Sequence, residues 1–299
     1  MANLRDIRNR IESIKNTRQI TKAMKMVAAA KLRKAQNRII ATRPYAARMN
    51  EVVARLIKNA ADDHELLRKS DSVDNVLFII IGSDRGLCGA FNNNLFKLVE
   101  KTIEAEYLQY KNEGTLSLVC IGQKAVNHFG KRNYRIAAKH PGFFDEVKFP
   151  KASGIMNSVI ADFKAGKYDE VKLAYNEFKS VIAQERIVES VLPIDPRSLA
   201  GEEEDADTYD GHKEYIYEPG VDEILKKMLP SHLNLQLWKA ILESNASEQG
   251  ARMTAMDNAT ENANELQEDL ELEYNRARQS AITTEISEII SGAQALENA

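Results

Sequence analysis

Residues 75–82 read NVLFIIIG, a continuous apolar run closed by glycine. A strand buried on both faces, in a sheet covered by helices, has this unalternated composition. Residues 116–122, LSLVCIG, repeat the pattern, and residues 91–110 between the two runs carry apolar side chains at helical spacing. Strand, helix, strand over this interval predicts a right-handed crossover within one parallel sheet. Further on, residues 171–178 (VKLAYNEF) and 186–192 (RIVESVL) alternate, which predicts two strands nearer the sheet edge, the second antiparallel. The centre of the chain, residues 61–212, is therefore expected to be an α/β domain.

Outward from this core, both ends read as long helices. Residues 3–58 contain no glycine and a single proline, Pro44, where a bend is expected. Leu4, Ile7, Ile11 and Ile14, then Met24, Val27, Ala28, Leu32, Ala35 and Ile39, recur at threes and fours, nearer a seven-residue repeat than a wide globular face. A helix of that length spans about 80 Å. Between residues 231 and 293 there is no proline, and glycine appears only at Gly250 and Gly292. Met253, Met256, Ala259, Ala263, Leu266, Leu270, Tyr274, Ala277 and Ala281 step along it in the same way, for about another 90 Å. Two narrow seams need each other. They predict one antiparallel, left-handed coiled coil built from residues 1–60 and 213–299, because the ends of an intervening domain usually lie close together. The expected fold is that coiled coil plus a central Rossmann-like α/β domain.

Charge supports the pairing. The 299 residues have a formal net charge of only -3, yet residues 1–60 hold 15 Lys/Arg against 3 Asp/Glu and residues 201–299 hold 7 against 22. The ends attract each other. A basic arm is also a nucleic-acid signal, but here Ile, Met, Val and Ala interrupt it and its acidic complement lies in the same chain, so no nucleic-acid partner is expected. The run 201–211 (GEEEDADTYDG) reads as a solvated acidic loop. No stretch approaches the roughly 20 apolar residues of a membrane span, and the start shows no apolar signal core. Two cysteines, Cys88 and Cys120, make no disulfide framework and fit a reducing compartment.

Catalytic signals are missing. Residues 82–90 (GSDRGLCGA) stand where phosphate-binding loops stand, between a strand and a helix. They match neither GxxxxGK[ST] nor GxGxxG, and Asp84 would repel a phosphate. The simpler reading is a tight turn with glycine at left-handed positions. His64, His128, His140, His212 and His232 have no metal-site spacing. Glu268, Asp269, Glu271 and Glu273 lie on a solvated helix face with nothing to raise a pKa. No catalytic residue, metal or cofactor is expected.

Three helical stretches are unusual for a plain coiled coil. Residues 20–32 (ITKAMKMVAAAKL) set methionines and alanines among lysines; 247–263 (SEQGARMTAMDNATENA) mixes Met, Ala, Thr and Asn; 274–292 (YNRARQSAITTEISEIISG) joins a basic cluster to small polar residues and isoleucines. Small neutral side chains suit close passage through a narrow space. The residues alone leave open a coiled-coil adaptor whose α/β head binds another protein, or a nucleotide-dependent enzyme using the glycine-rich turn.

With the loop 83–92 (SDRGLCGAFN), these stretches resemble the hallmark segments of the gamma-subunit family of rotary F-type ATP synthases, of bacterial type, in the same order and over nearly the whole chain. The resemblance implies a central shaft, a non-catalytic part of the ATPase complex, turned by a membrane rotor ring of c-type subunits that proton or sodium flow drives. The shaft would turn inside a ring of alternating alpha- and beta-type nucleotide-binding subunits, on the cytoplasmic face of the cell membrane and peripheral to it. By motif match, Arg252, Gln279 and Thr283 resemble residues that hydrogen-bond loops of that ring. Met24 and Lys25 resemble the position that meets an acidic lever loop of a catalytic subunit. Tyr217 and Glu218, in the segment YIYEPG, resemble the foot beside the rotor ring and the epsilon-type subunit. The tip isoleucines Ile282, Ile286, Ile289 and Ile290 would face an apolar collar.

Overall fold

The computed structural model describes residues 4–58, 64–68, 72–181, 183–195 and 217–297. The acidic run 201–211 lies outside them. Contacts divide the chain into two units, Ala29–Ala251 and the terminal portions Met1–Ala28 with Arg252–Ala299. The division runs through the two long helices, α1 (Leu4–Lys58) and α6 (Val221–Glu297), each of which is continuous.

The larger unit is built on a five-stranded sheet of β1 (Val76–Ile81), β2 (Leu116–Ile121), β3 (Arg135–His140), β4 (Glu170–Phe178) and β5 (Gln184–Leu192). The order is β3-β2-β1-β4-β5, with the first four strands parallel and β5 antiparallel to β4. Every residue of β1 and β2 is buried, as their apolar runs require. Successive side chains alternate faces. Val76, Phe78 and Ile80 pack on α2 (Phe91–Glu106) and α4 (Gln123–Phe129) through Leu95, Phe96, Val99 and Phe129. Leu77, Ile79 and Ile81 pack on α5 (Phe149–Lys164) and on parts of the long helices, through Met156, Phe163, Val53, Leu229 and Ile241. Phe78 and Phe163 are almost wholly buried, and truncating either to alanine costs about 3–5 kcal/mol.

The sheet corrects part of the sequence reading. Residues 171–178 and 186–192 do stand nearer one edge, β4 beside β1 and β5 outermost and antiparallel, but the other edge was not read from the sequence. The true edge opposite β5 is β3, whose RIAAKH exposes alternate residues. A short charged edge strand resists further pairing and for the same reason carries little apolar signal. The helix expected over 91–110 stops at Glu106, and α3 (Leu108–Glu113) restarts after Tyr107 leaves helical geometry at φ -125. Finally, α6 begins at Val221 and carries Pro230 inside it rather than starting beyond it.

In the terminal unit, α1 buries Ile7, Thr21 and Ala28 and half-buries Leu4, Ile11, Ile14, Arg18 and Lys25, an unbroken alternation of threes and fours. From α6, Arg252, Met256, Ala263 and Leu270 are buried. The chain directions are antiparallel. Arg18 Nη1 donates to Asn264 Oδ1 at 3.0 Å, the hydroxyls of Thr21 and Thr260 lie 2.8 Å apart, and Lys25 Nζ reaches Asp257 Oδ1 at 2.5 Å, so each step forward on α1 is a step back on α6. Three expected seam residues are not on the seam: Ala281 lies in the exposed stretch from residue 278 on, Val27 is 55% exposed and Leu266 49%. Val27 and Leu266 are each one position off the repeat, a rotation of about 100° around the helix. Ala28, also expected there, and the half-buried Gln267 face inward beside them.

Candidate functional site

The loop after β1 is the first place to look for chemistry, since ligands of open α/β sheets bind outside the carboxyl ends of the strands. Here the site is filled from within. The Asp84 carboxylate accepts the N–H of Gln123 (2.8 Å) and of Gly142 (2.8 Å) on Oδ1, and that of Phe144 (2.7 Å) on Oδ2. Gln123 opens α4 just after β2, and Gly142 and Phe144 follow β3, so one aspartate ties together the ends of three strands. The N–H groups that a phosphate would use already hold an anion. Asn92 completes the loop: its Oδ1 accepts the Ser83 N–H at 3.0 Å and its Nδ2 donates to Ser83 Oγ at 2.8 Å.

Glycine is needed here at two points. Gly122 has φ 92, and a Cβ there would stand 2.5 Å from the Gly82 carbonyl oxygen. Gly89 has φ 59, as the left-handed turn reading requires, but Leu87 also adopts φ 62. A leucine in that region is strained, and this one is 67% exposed. Cys88 beside it is buried, with Asn92 Nδ2 3.3 Å from its sulfur. Burial pushes the Cys120 thiol up to about 12, so it stays a neutral core side chain.

The residues singled out on the helices fall into three settings. Met24 and Lys25 are half-buried beside the seam, and Lys25 pairs with Asp257 of its own chain. Arg252 is buried, at 9% exposure. Gln279 and Thr283 lie one turn apart on an exposed helix surface, with Thr283 Oγ1 donating to the Gln279 carbonyl at 2.9 Å. From residue 278 to 294 every side chain is exposed, including Ile282, Ile286, Ile289 and Ile290. In the larger unit, Tyr217 packs against the core and Glu218 next to it is exposed. No helix among the described residues is long and apolar enough to cross a membrane, and among them no cluster of His, Cys, Asp or Glu could hold a metal ion.

Reading the residues as a sequence missed the role of Asp84. Its charge argued against phosphate, but nothing in the local motif said which amides it would meet, because these come from loops far along the chain. It also missed a second group of polar residues in the core, among them Glu243 and His232. Glu243 Oε2 accepts the Phe178 N–H at 3.1 Å, and burial raises its pKa. His232 Nε2 meets Asn50 Oδ1 at 3.0 Å, and burial lowers its pKa to about 4. A carboxylate within an otherwise apolar helix stretch was the available signal.

The family model described as ATP synthase matches residues 3–296. The ATP synthase gamma chain of Salinibacter ruber is 49% identical over 306 residues, covering 99% of both chains. That of Chlorobaculum tepidum is 47% identical over 298 residues, covering 99% of this chain and all of its own. Among solved structures, the central stalk and c-ring of Tetrahymena thermophila mitochondrial ATP synthase includes a chain similar over 80% of this one and 99% of its own, with a TM-score of 0.57 and 27% identity. A chain of the Euglena gracilis mitochondrial ATP synthase shares the fold at a TM-score of 0.68, with 21% identity over 98% of this chain and 94% of its own. With a shared fold, a family match from the first helix to the last and near-half identity to curated gamma chains along their whole length, the chain belongs to the gamma-chain family of ATP synthases.

Proposed function

We propose that this chain is the central stalk of an F-type ATP synthase and transmits rotation without performing chemistry itself. The observation that carries the reading is its full-length similarity to ATP synthase gamma chains. Its partners are then the alpha- and beta-type subunits of the catalytic head, the epsilon-type subunit, and the membrane rotor ring of c-type subunits. Its place is the cytoplasmic face of the bacterial cell membrane, a location supported by the bacterial organisms of its relatives.

The mechanism follows from stiffness and asymmetry. Torque passes along a rod only if the rod resists bending and twisting, and two helices joined by a repeating seam do so better than one. The hydroxyl pair Thr21–Thr260 and the ion pair Lys25–Asp257 hold the register between them. Turning inside the ring, an asymmetric shaft presents a different face to each catalytic subunit in turn and biases its conformation. Gln279 and Thr283 are proposed ring contacts, and their exposure supports that role. Arg252 is proposed there too, although much of its surface is already covered by its own chain. Met24 and Lys25 are proposed to meet the lever loop, and Tyr217 and Glu218 the rotor ring and epsilon-type subunit.

Copurification tests the reading. A tagged copy recovered from membranes should bring down nucleotide-binding subunits in molar excess over itself, together with ATPase activity. Recovery of the chain without those subunits would sink it and favour an adaptor.

A further inference from the structure

A cavity of about 740 Å³ lies within the larger unit, well inside the range of roughly 300–1,000 Å³ that small-ligand sites occupy. Its floor is the β4–β5 hairpin, with Tyr175 and Glu189; α1 contributes Arg43 and Asn50, and α6 contributes His232 and Glu243. Three of these side chains are more than nine-tenths buried: Tyr175 is 4% exposed, His232 6% and Glu243 3%. Burying a polar group costs free energy unless it is partnered. The Tyr175 hydroxyl makes no hydrogen bond among the described residues, though its oxygen is not sealed from solvent. His232 bonds Asn50 through Nε2 and leaves Nδ1 buried with no partner among the described residues. Among the described residues, Glu243 accepts a hydrogen bond only from Phe178, through Oε2.

The lining selects the sign of a guest. Glu177, Glu189, Asp195 and Glu243 face two cations, Arg43 and Lys239, so four acids against two bases leave an acidic excess. An anion would be repelled. A metal ion lacks its ligands, since no His, Cys, Asp or Glu cluster among the described residues is suited to one. Ile39, Val191, Leu235 and Leu242 give the cavity apolar wall as well. A guest with both an apolar body and a positively charged hydrogen-bond donor meets all of these conditions.

We propose that this cavity binds a small protonated organic amine, its ammonium group held by the Glu189 and Glu243 carboxylates and the Tyr175 hydroxyl oxygen, its apolar body lying against the leucines of α6. Burial raises the pKa of both Glu189 and Glu243, and a bound cation would offset the cost of ionising them. The inference stands apart from the rotor reading, since it concerns one unit of the chain alone.

The test is calorimetric titration of the full chain with 4-phenylbutylamine, and with 4-phenylbutan-1-ol and 4-phenylbutyrate as neutral and anionic matches of the same skeleton. The amine should bind saturably at one site, and the alcohol and the acid at least about tenfold more weakly. Glu189→Gln should weaken the amine about tenfold and Tyr175→Phe about threefold. Glu185→Gln, at an exposed position of the same strand, should leave binding unchanged. Both test substitutions nearly preserve shape, and circular dichroism confirms that each variant is folded. Absence of saturable amine binding, equal binding of amine and alcohol, or wild-type affinity in both folded variants would each overturn the proposal.

Discussion

Asp84 offers the sharpest test of how the central domain is held together. Its carboxylate accepts three backbone N–H groups at 2.7–2.8 Å, from loops that follow two different strands. Hydrogen bonds to a charged group contribute about 1.5–3 kcal/mol each. The three are not independent, and the Gly142 amide lies in an exposed setting where water can replace the lost acceptor. Asp84→Ala should therefore cost about 2–4 kcal/mol rather than the sum of three full bonds. Asp84→Asn separates the contributions. An amide oxygen in place of Oδ1 keeps the bonds from Gln123 and Gly142, but an NH2 group in place of Oδ2 faces the Phe144 N–H donor to donor, so this variant should lose the Phe144 bond selectively.

Hydrogen exchange reads the effect residue by residue, which suits a chain of two units better than a single melting temperature. In Asp84→Ala the amides of Gln123, Gly142 and Phe144 should all lose protection; in Asp84→Asn the loss should centre on Phe144. Formate or acetate, supplied at high concentration, should restore part of the protection in Asp84→Ala by refilling the vacated anion position. Unchanged protection of all three amides in the alanine variant, or destabilisation below about 0.5 kcal/mol by urea titration, would refute the claim that this carboxylate clamps the strand ends.

Other expectations concern the helices. Gln279→Ala should leave stability unchanged and reduce ATP-synthesis rate in the assembled enzyme, while Arg252→Ala should lower both, because Arg252 is buried and Gln279 is not; wild-type synthesis in both assembled variants would remove these residues from the proposed contact surface. Lys25→Ala breaks an ion pair whose side chains are 39% and 57% exposed, so by guanidinium titration it should cost less than about 1 kcal/mol; a larger loss of turnover than of stability would support its contact with a partner. His232 titrates near 4 in the fold against an ordinary value of 6.5, so the unfolded chain binds the extra proton between those pH values and stability falls as pH drops through that window, by up to about 3 kcal/mol. Glu189 and Glu243, whose pKa values are raised by burial, act in the opposite direction; urea titrations of wild type and His232→Gln across pH 7 to 4 isolate the histidine, and parallel curves for the two would refute its share.

Legibility from sequence followed how far each interaction reaches along the chain. Residues 75–82 and 116–122 announce β1 and β2 because a strand buried on both faces must be apolar throughout. The helical seams were visible for the same reason, since each buried position needs an apolar or small residue. The errors lie where that requirement relaxes. Thr21 and Gln267 occupy seam positions with polar side chains, and Val27 and Leu266 are apolar but exposed, so an apolar-only reading passes over the first two and takes in the second two. Edge strand β3 needs few apolar residues and was missed. The candidate contact residues came from whole-motif resemblance, because no local rule separates an exposed Gln279 from any other polar residue on a helix.

The built-in anion also bears on how a fold associated with nucleotide sites is held together here. An open parallel sheet leaves a crevice at its carboxyl ends, together with backbone N–H groups that need acceptors. A bound phosphate is one solution, but it makes the stability of the loops depend on ligand concentration. A covalently attached carboxylate satisfies the same amides at all times. For a part that must carry torque through every catalytic cycle, while nucleotide levels at neighbouring sites rise and fall, that independence is the useful property. Asp84 at the end of β1, held by Gln123, Gly142 and Phe144, supplies it. The residue that spoils the phosphate motif is thus the one that makes the crevice rigid. Exchange protection at these three amides in the wild-type chain should therefore be insensitive to added ATP or phosphate.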